Sequence, residues 1–309
     1  MRYRESGSLD TSGVQDRRGR GGGLRGGRGV AVGGGGLGLV GVLVVVLVQV
    51  LGGGGGGGGG TGADLTSVLG QLESGQTVDT GRLAESCRTG ADANDSVDCA
   101  VVADVESIQD WWSGTVGGYR PAQTVFFDGA VQTGCGGATS GTGPFYCPGD
   151  EQVYIDLSFF DDLRTRFGAQ GGLFVNAYVI AHEYGHHVQH LLGTTDRVQP
   201  GESGPTSGSV RLELQADCYA GAWAAHATTV PDDSGEPLIA EITEEDVQRA
   251  LDTAGRIGDD FIQGELGDGT VDQESFTHGT SEQRRRWFTT GFRTGDPAQC
   301  DTFAVDDLG

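Results

Sequence analysis

The residues with the clearest chemical potential are His182-Glu183-Tyr184-Gly185-His186. Histidines at i and i+4 of a helix project from one face, a turn apart, within reach of a single tetrahedral zinc ion. Glu183 sits beside them without needing to ligate, where it can hold water and take its proton. The chain has six histidines, and four of them (His182, His186, His187, His190) fall within nine residues. That clustering argues against a helix whose histidines merely line a polar surface. A catalytic zinc needs a third protein donor and an open position. Glu213-Leu214-Gln215-Ala216-Asp217 offers Glu213 as that donor. Asp217, a turn later, is placed to accept the second ring N–H of a ligand histidine and fix its tautomer. His187 points about 100° away from His186 and reads as a core residue or one that supports a ligand, not as a ligand itself. His190 lies too far along the helix to join the first pair, and His226 reads as a surface residue.

Several elements must position these groups. Phe174, Val175, Tyr178, Val179, Val188, Leu191 and Leu192 recur at helical spacing, which predicts a helix over Gly172–Leu192 carrying the two histidines. A loop rich in Gly and Pro follows, and Ser209 is expected to cap a second helix through Ala227. Thr243 with Asp246 forms a capping-box pattern for a third, through Gln263, and Ser281 is expected to cap a fourth. Thr124–Phe127 and Val153–Phe159 are rich in β-branched and aromatic residues and read as strands. Strands first and helices after give an α+β domain. The strand at Val153–Phe159 is the expected sheet edge beside the cleft, where an extended peptide would pair.

The flanking chain divides sharply by composition. Residues 1–28 hold seven arginines, whereas the whole chain carries a net charge of −23. Val30–Leu51 contains only Gly, Ala, Val, Leu and Gln49, long enough to cross a bilayer as a helix. The positive-inside rule then puts the N-terminus in the cytoplasm and the remainder outside the cell membrane; a cleaved signal peptide is the competing reading. The expected organisation is a basic cytoplasmic tail over 1–29, a transmembrane helix over 30–51, a Gly-rich flexible linker over 52–82 and one domain over 83–309. The acidic surplus excludes nucleic acid as a partner. All six cysteines (Cys87, Cys99, Cys135, Cys147, Cys218, Cys300) lie beyond the apolar run, as expected for disulfides in an exported domain. Sequence alone cannot choose among their pairings; the favoured set is the two twelve-residue loops plus Cys218–Cys300.

HEYGHHVQHLLG, ELQADCYAGAWA, VQDRRG, GPFYCPGDEQVYIDLSFF and SFTHGTSEQRRRWF together resemble the bacterial neutral zinc metallopeptidases, membrane-anchored zincins of the gluzincin kind. The resemblance implies a zincin-like fold, one Zn2+ held by His182, His186 and Glu213, Glu183 as catalytic base, and a peptide or protein substrate. The stretch around His278 and Arg284 is similar to a His-Pro-containing stretch of some membrane-associated gluzincins, although Gly279 replaces the proline. It implies His278 or Arg284 as a stabiliser of the tetrahedral oxyanion. The rival reading is a non-catalytic surface module with structural zinc, against which Glu183, adjacent and free, discriminates. A metal hydrolase acting on a cell-wall amide is a third, which nothing in the sequence excludes.

Overall fold

Two separate stretches of chain build one core. The computed structural model describes residues 1–19, 80–232 and 234–309. The first stretch supplies β1 (Arg2–Tyr3) and β2 (Val14–Asp16). Helices α1 (Thr80–Ser86), α2 (Gly90–Asp95) and α3 (Val97–Thr115) come next. Five short strands follow: β3 (Gln123–Phe126), β4 (Ala130–Thr133), β5 (Gly136–Thr139), β6 (Phe145–Cys147) and β7 (Gln152–Ile155). The rest is mainly helical: α4 (Phe159–Thr165), α5 (Leu173–Leu191), α6 (Gly208–His226), strand β8 (Ile239–Glu241), α7 (Glu244–Arg256) and α8 (Ser281–Thr294). The α+β expectation holds.

The main sheet runs β2-β3-β7-β6, with β2, β3 and β7 parallel and β6 antiparallel to β7 at one edge. The β4–β5 hairpin forms its own small sheet. Helix α3 is buried almost all round, from Cys99 to Trp112, and packs against α2, α5 and α6. A second, smaller apolar cluster joins Val125, Phe127, Val131, Phe145, Cys147 and Tyr154.

Three helices meet at close backbone crossings. A Cβ on Gly185 of α5 would meet the Ala216 Cα of α6 at 3.0 Å. One on Gly291 of α8 would fall 1.9 Å from the Cys218 carbonyl oxygen of α6. Glycine therefore sets both interhelical distances. The disulfides pair Cys87 with Cys99, Cys135 with Cys147 and Cys218 with Cys300, as favoured from spacing.

Several boundaries need correction. Residues 1–19 are not a free tail. Tyr3 is fully buried and its hydroxyl donates to Asp104 at 2.7 Å. Arg4 pairs with Asp232 at 2.6 Å, and Arg18 pairs with Asp16 at 2.8 Å and lies over the Phe126 ring. Arg4 and Arg18, read from the sequence as part of a basic cytoplasmic tail, thus neutralise acids of the domain itself. The domain over 83–309 accordingly gains residues 1–19 and all of α1. The span expected over 30–51 and the linker up to residue 79 lie outside the described residues; among those described, no helix is long and apolar enough to cross a membrane.

Smaller corrections concern ends. The strand expected at Val153–Phe159 stops at Ile155, because Asp156 turns the chain by accepting from the Ser158 N–H. Ser207, not Ser209, caps α6, and Thr280, not Ser281, caps α8 in a box with Gln283. Thr243 and Asp246 form the expected box for α7, but that helix ends at Arg256, well before Gln263.

Candidate metal centre

Helix α5 brings His182 and His186 to one point, and α6 brings Glu213 to the same point. One donor atom from each lies within 4.8 Å of the others. His182 Nε2 is 3.1 Å from His186 Nε2, and the two Glu213 oxygens lie 3.2 and 3.3 Å from His182 and His186 respectively. A tetrahedron with bonds of about 2.0–2.1 Å has edges of about 3.3 Å, so the spacing fits one zinc ion.

The outer contacts settle which nitrogens are bare. His182 Nδ1 lies 2.9 Å from Asp217 Oδ1. Burial would raise the Asp217 carboxyl, but Arg284 and His182 outweigh it and hold it below the usual range. A carboxylate only accepts, so His182 Nδ1 carries the hydrogen. His186 Nδ1 lies 2.9 Å from Gln189 Oε1, and the Gln189 amide is oriented by donating to the Leu212 carbonyl at 2.7 Å. Both rings therefore turn lone pairs toward each other at Nε2. Such lone pairs repel unless a cation stands between them, and a buried carboxylate beside them favours a metal.

Asp217 is the hub of this support. It accepts from Tyr178 at 2.7 Å and from Arg284 at 2.8 and 3.0 Å, all buried. This corrects the oxyanion expectation for Arg284, whose guanidinium is spent on Asp217, Tyr178 and the Ile257 carbonyl. His278 fares differently. It lines the same cavity as the three donors, and its Nδ1 lies 3.0 Å from Asp259, itself fixed by the N–H groups of Thr277, His278 and Gly279. Burial opposes charge on His278, but Asp259 outweighs it and raises the imidazole above its ordinary value. Asp259 was not read from sequence, since nothing local links residues 19 apart.

Glu183 stands apart from this network. Among the described residues, no ion pair or side-chain hydrogen bond engages it, and it lines the cavity. Burial raises its carboxyl, partly opposed by His182 and His186. The cavity, about 180 Å³, is walled by apolar side chains, including Phe159, Phe167, Val179, Ile257 and Ile262. One rim is Thr142–Tyr146, leading into β6. The sheet edge beside the cleft is therefore β6; the strand expected there, β7, is interior, paired on both sides.

The remaining histidines fall as read. His187 is fully buried, His190 faces Glu151 at 3.6 Å, and His226 lies at the surface beside the Gly295 carbonyl.

Mixed helix and sheet bring two imidazoles and a carboxylate around one point that could hold a metal ion. The chain belongs to the family described as "Putative neutral zinc metallopeptidase", which it matches over residues 1–303. It is 48% identical over 251 residues to the uncharacterized protein Rv2575 of Mycobacterium tuberculosis, covering 80% of this chain and 85% of that protein. The uncharacterized protein Mb2605 of Mycobacterium bovis matches to the same extent. The uncharacterized protein YpfJ of Escherichia coli is 47% identical over 192 residues, 60% of this chain and 62% of its own length. No solved structure matches the chain.

Proposed function

We propose that this chain is a zinc-dependent endopeptidase of zincin-like design, acting on peptide or protein substrates outside the cytoplasm. The carrying observation is the division of labour among four acids and bases, all buried except the partly buried His186: His182, His186 and Glu213 converge on one point while Glu183 is left free beside it. Zinc held by those three residues supplies a Lewis acid that lowers the pKa of water to near neutrality. Glu183 accepts the proton at its carboxylate and returns it to the leaving amine. His278, oriented by Asp259, offers its Nε2 side to the oxygen of the carbonyl under attack. Tyr178 and Arg284 hold Asp217, which holds His182. The free edge of β6 is suited to pair with an extended peptide backbone.

A purely structural zinc would be enclosed by four protein donors; the three found here open onto a cavity, which favours catalysis over the binding-module reading. Three disulfides support a location outside the cytoplasm. The packing of Tyr3 and Val14 into the core favours residues 1–19 lying on the same side as the rest of the domain.

The test uses the purified full chain, its metal content and a peptide pool. Glu183→Gln is expected to keep zinc and lose cleavage by about 10²–10⁴-fold. His278→Gln is expected to lower kcat by about 10²-fold with zinc retained. Cleavage at the wild-type rate by Glu183→Gln would overturn the mechanism.

A further inference from the structure

His187 follows a ligand yet faces away from the metal, and it is fully buried. Its Nε2 lies 2.6 Å from the Arg120 carbonyl oxygen. That oxygen can only accept, so Nε2 carries the hydrogen and Nδ1 is bare. Nδ1, 3.0 Å from the Tyr146 hydroxyl, therefore accepts from it. Two hydrogen bonds fix the ring, and Tyr119 packs edge-on against it at 5.5 Å.

Tyr146 is the middle residue of β6, and the alternation of a strand separates it from its neighbours. Phe145 and Cys147 enter the smaller apolar cluster, and Cys147 is tied there to Cys135. Tyr146 instead joins the main core that contains α5. Tyr146 and Glu183 line the same cavity. Glu183 and His187 stand at i and i+4, neighbours on one helix face. Two side chains a turn apart thus meet one strand residue, His187 by a hydrogen bond with its phenol and Glu183 across the cavity that both line.

We propose that the His187–Tyr146 hydrogen bond is a strut between α5 and β6 that sets the Glu183 carboxylate against the cleft edge, making both side chains positioning residues. The inference rests on the hydrolase reading above. Neither group touches the metal donors through a hydrogen bond, so loss of the strut displaces the base and spares the metal. A misplacement of about 1 Å at a reacting group costs up to roughly 10² in rate.

The experiment is a double-mutant cycle on the full, zinc-loaded chain, reading kcat, KM, bound zinc and Tm. Tyr146→Phe is expected to lower kcat about tenfold, with KM within about twofold and zinc unchanged. His187→Leu should match it. His187→Gln, which keeps a donor and an acceptor, should recover most of kcat. The double variant Tyr146→Phe/His187→Leu should be no slower than either single one, since both remove one bond. Tyr184→Phe, on the same helix as His187, serves as the control: it removes a buried hydroxyl bonded to Thr124 of β3 and to the Ala122 carbonyl, and should lower Tm while leaving kcat within about twofold. Cleavage by the wild type with unaltered kcat in Tyr146→Phe, or losses that multiply in the double variant, would overturn the strut alone. A wild-type chain that cleaves nothing would overturn the hydrolase reading and the strut with it.

Discussion

At the residue scale, the site is a set of proton assignments forced by what each partner can do. Asp217 and the Gln189 carbonyl accept, so the histidines must donate at Nδ1 and present Nε2 inward. Most of this was legible from spacing, because a helix converts i, i+4 into a shared face: His182, His186, Glu183, Glu213 and Asp217 all stand where the pattern put them. Arg284 was legible only as a position. Its partner is 67 residues away in sequence, and local pattern carries no information about which acid a buried guanidinium meets. The pairing makes a prediction. Arg284→Met leaves the Asp217 carboxylate buried with a lost counter-charge, a change that typically costs about 3–5 kcal/mol. It also loosens the partner that orients His182, and such partners are worth about 10–100-fold in metal affinity. Thermal unfolding and a zinc-chelator competition should show both effects, and zinc affinity equal to wild type would show that Asp217 holds His182 without help.

At the element scale, what matters is how closely helices approach and where strands end. Gly185 lies inside the HExxH motif, yet its role is packing: the absence of a Cβ lets α6 come near enough for Glu213 to share a point with the histidines. Gly185→Ala introduces an atom about 3.0–3.1 Å from Ala216, so the helices must part by a few tenths of an ångström. The expected result is weaker zinc binding, by about tenfold, with a stability loss of about 1–3 kcal/mol. Unchanged affinity would mean that the crossing relaxes without moving Glu213. Helix α3 was missed in the sequence for a physical reason: it is buried nearly all round, so Cys99–Ala103 is a continuous apolar run with no stripe to detect. Strand β2 was missed because three residues are too few to show alternation. Its docking is nonetheless measurable. Burial would raise the Asp16 carboxyl, but hydrogen bonds from Arg18 and Arg82 outweigh it and bring it down to about 2. A carboxyl lowered on folding adds stability that is complete above the unfolded value of about 3.9 and vanishes as pH falls toward 2. Asp16→Asn should therefore cost about 1 kcal/mol at neutral pH, after allowance for solvent screening, and nothing near pH 2. Equal losses at both pH values would assign the effect to packing.

At the scale of the whole molecule, the two stretches of chain on either side of residues 20–79 form one folded body, and this bears on where the protein can work. Tyr3 and Val14 lie in the core, and β1 pairs with β8 through Arg2 opposite Glu241 and Tyr3 opposite Ile239. Hydropathy reads each segment by its own composition, so an arginine-rich leader before an apolar run looks like a cytoplasmic tail; only long-range pairing reveals that the arginines have acids waiting for them in the domain. The consequence is testable in cells. Facing residues of an antiparallel pair have Cα atoms about 4.5–5.5 Å apart, within the range a disulfide can bridge. Arg2 and Glu241 are both more than half exposed, so Arg2→Cys with Glu241→Cys leaves the core intact. In an oxidising compartment the pair should close a bond within the chain, seen as a mobility shift under non-reducing electrophoresis that neither single variant gives. If the leader were instead held across a membrane from the domain, the two thiols could never meet. Both would then fail to cross-link in intact cells, and a membrane-impermeant maleimide would label position 241 while leaving position 2 untouched.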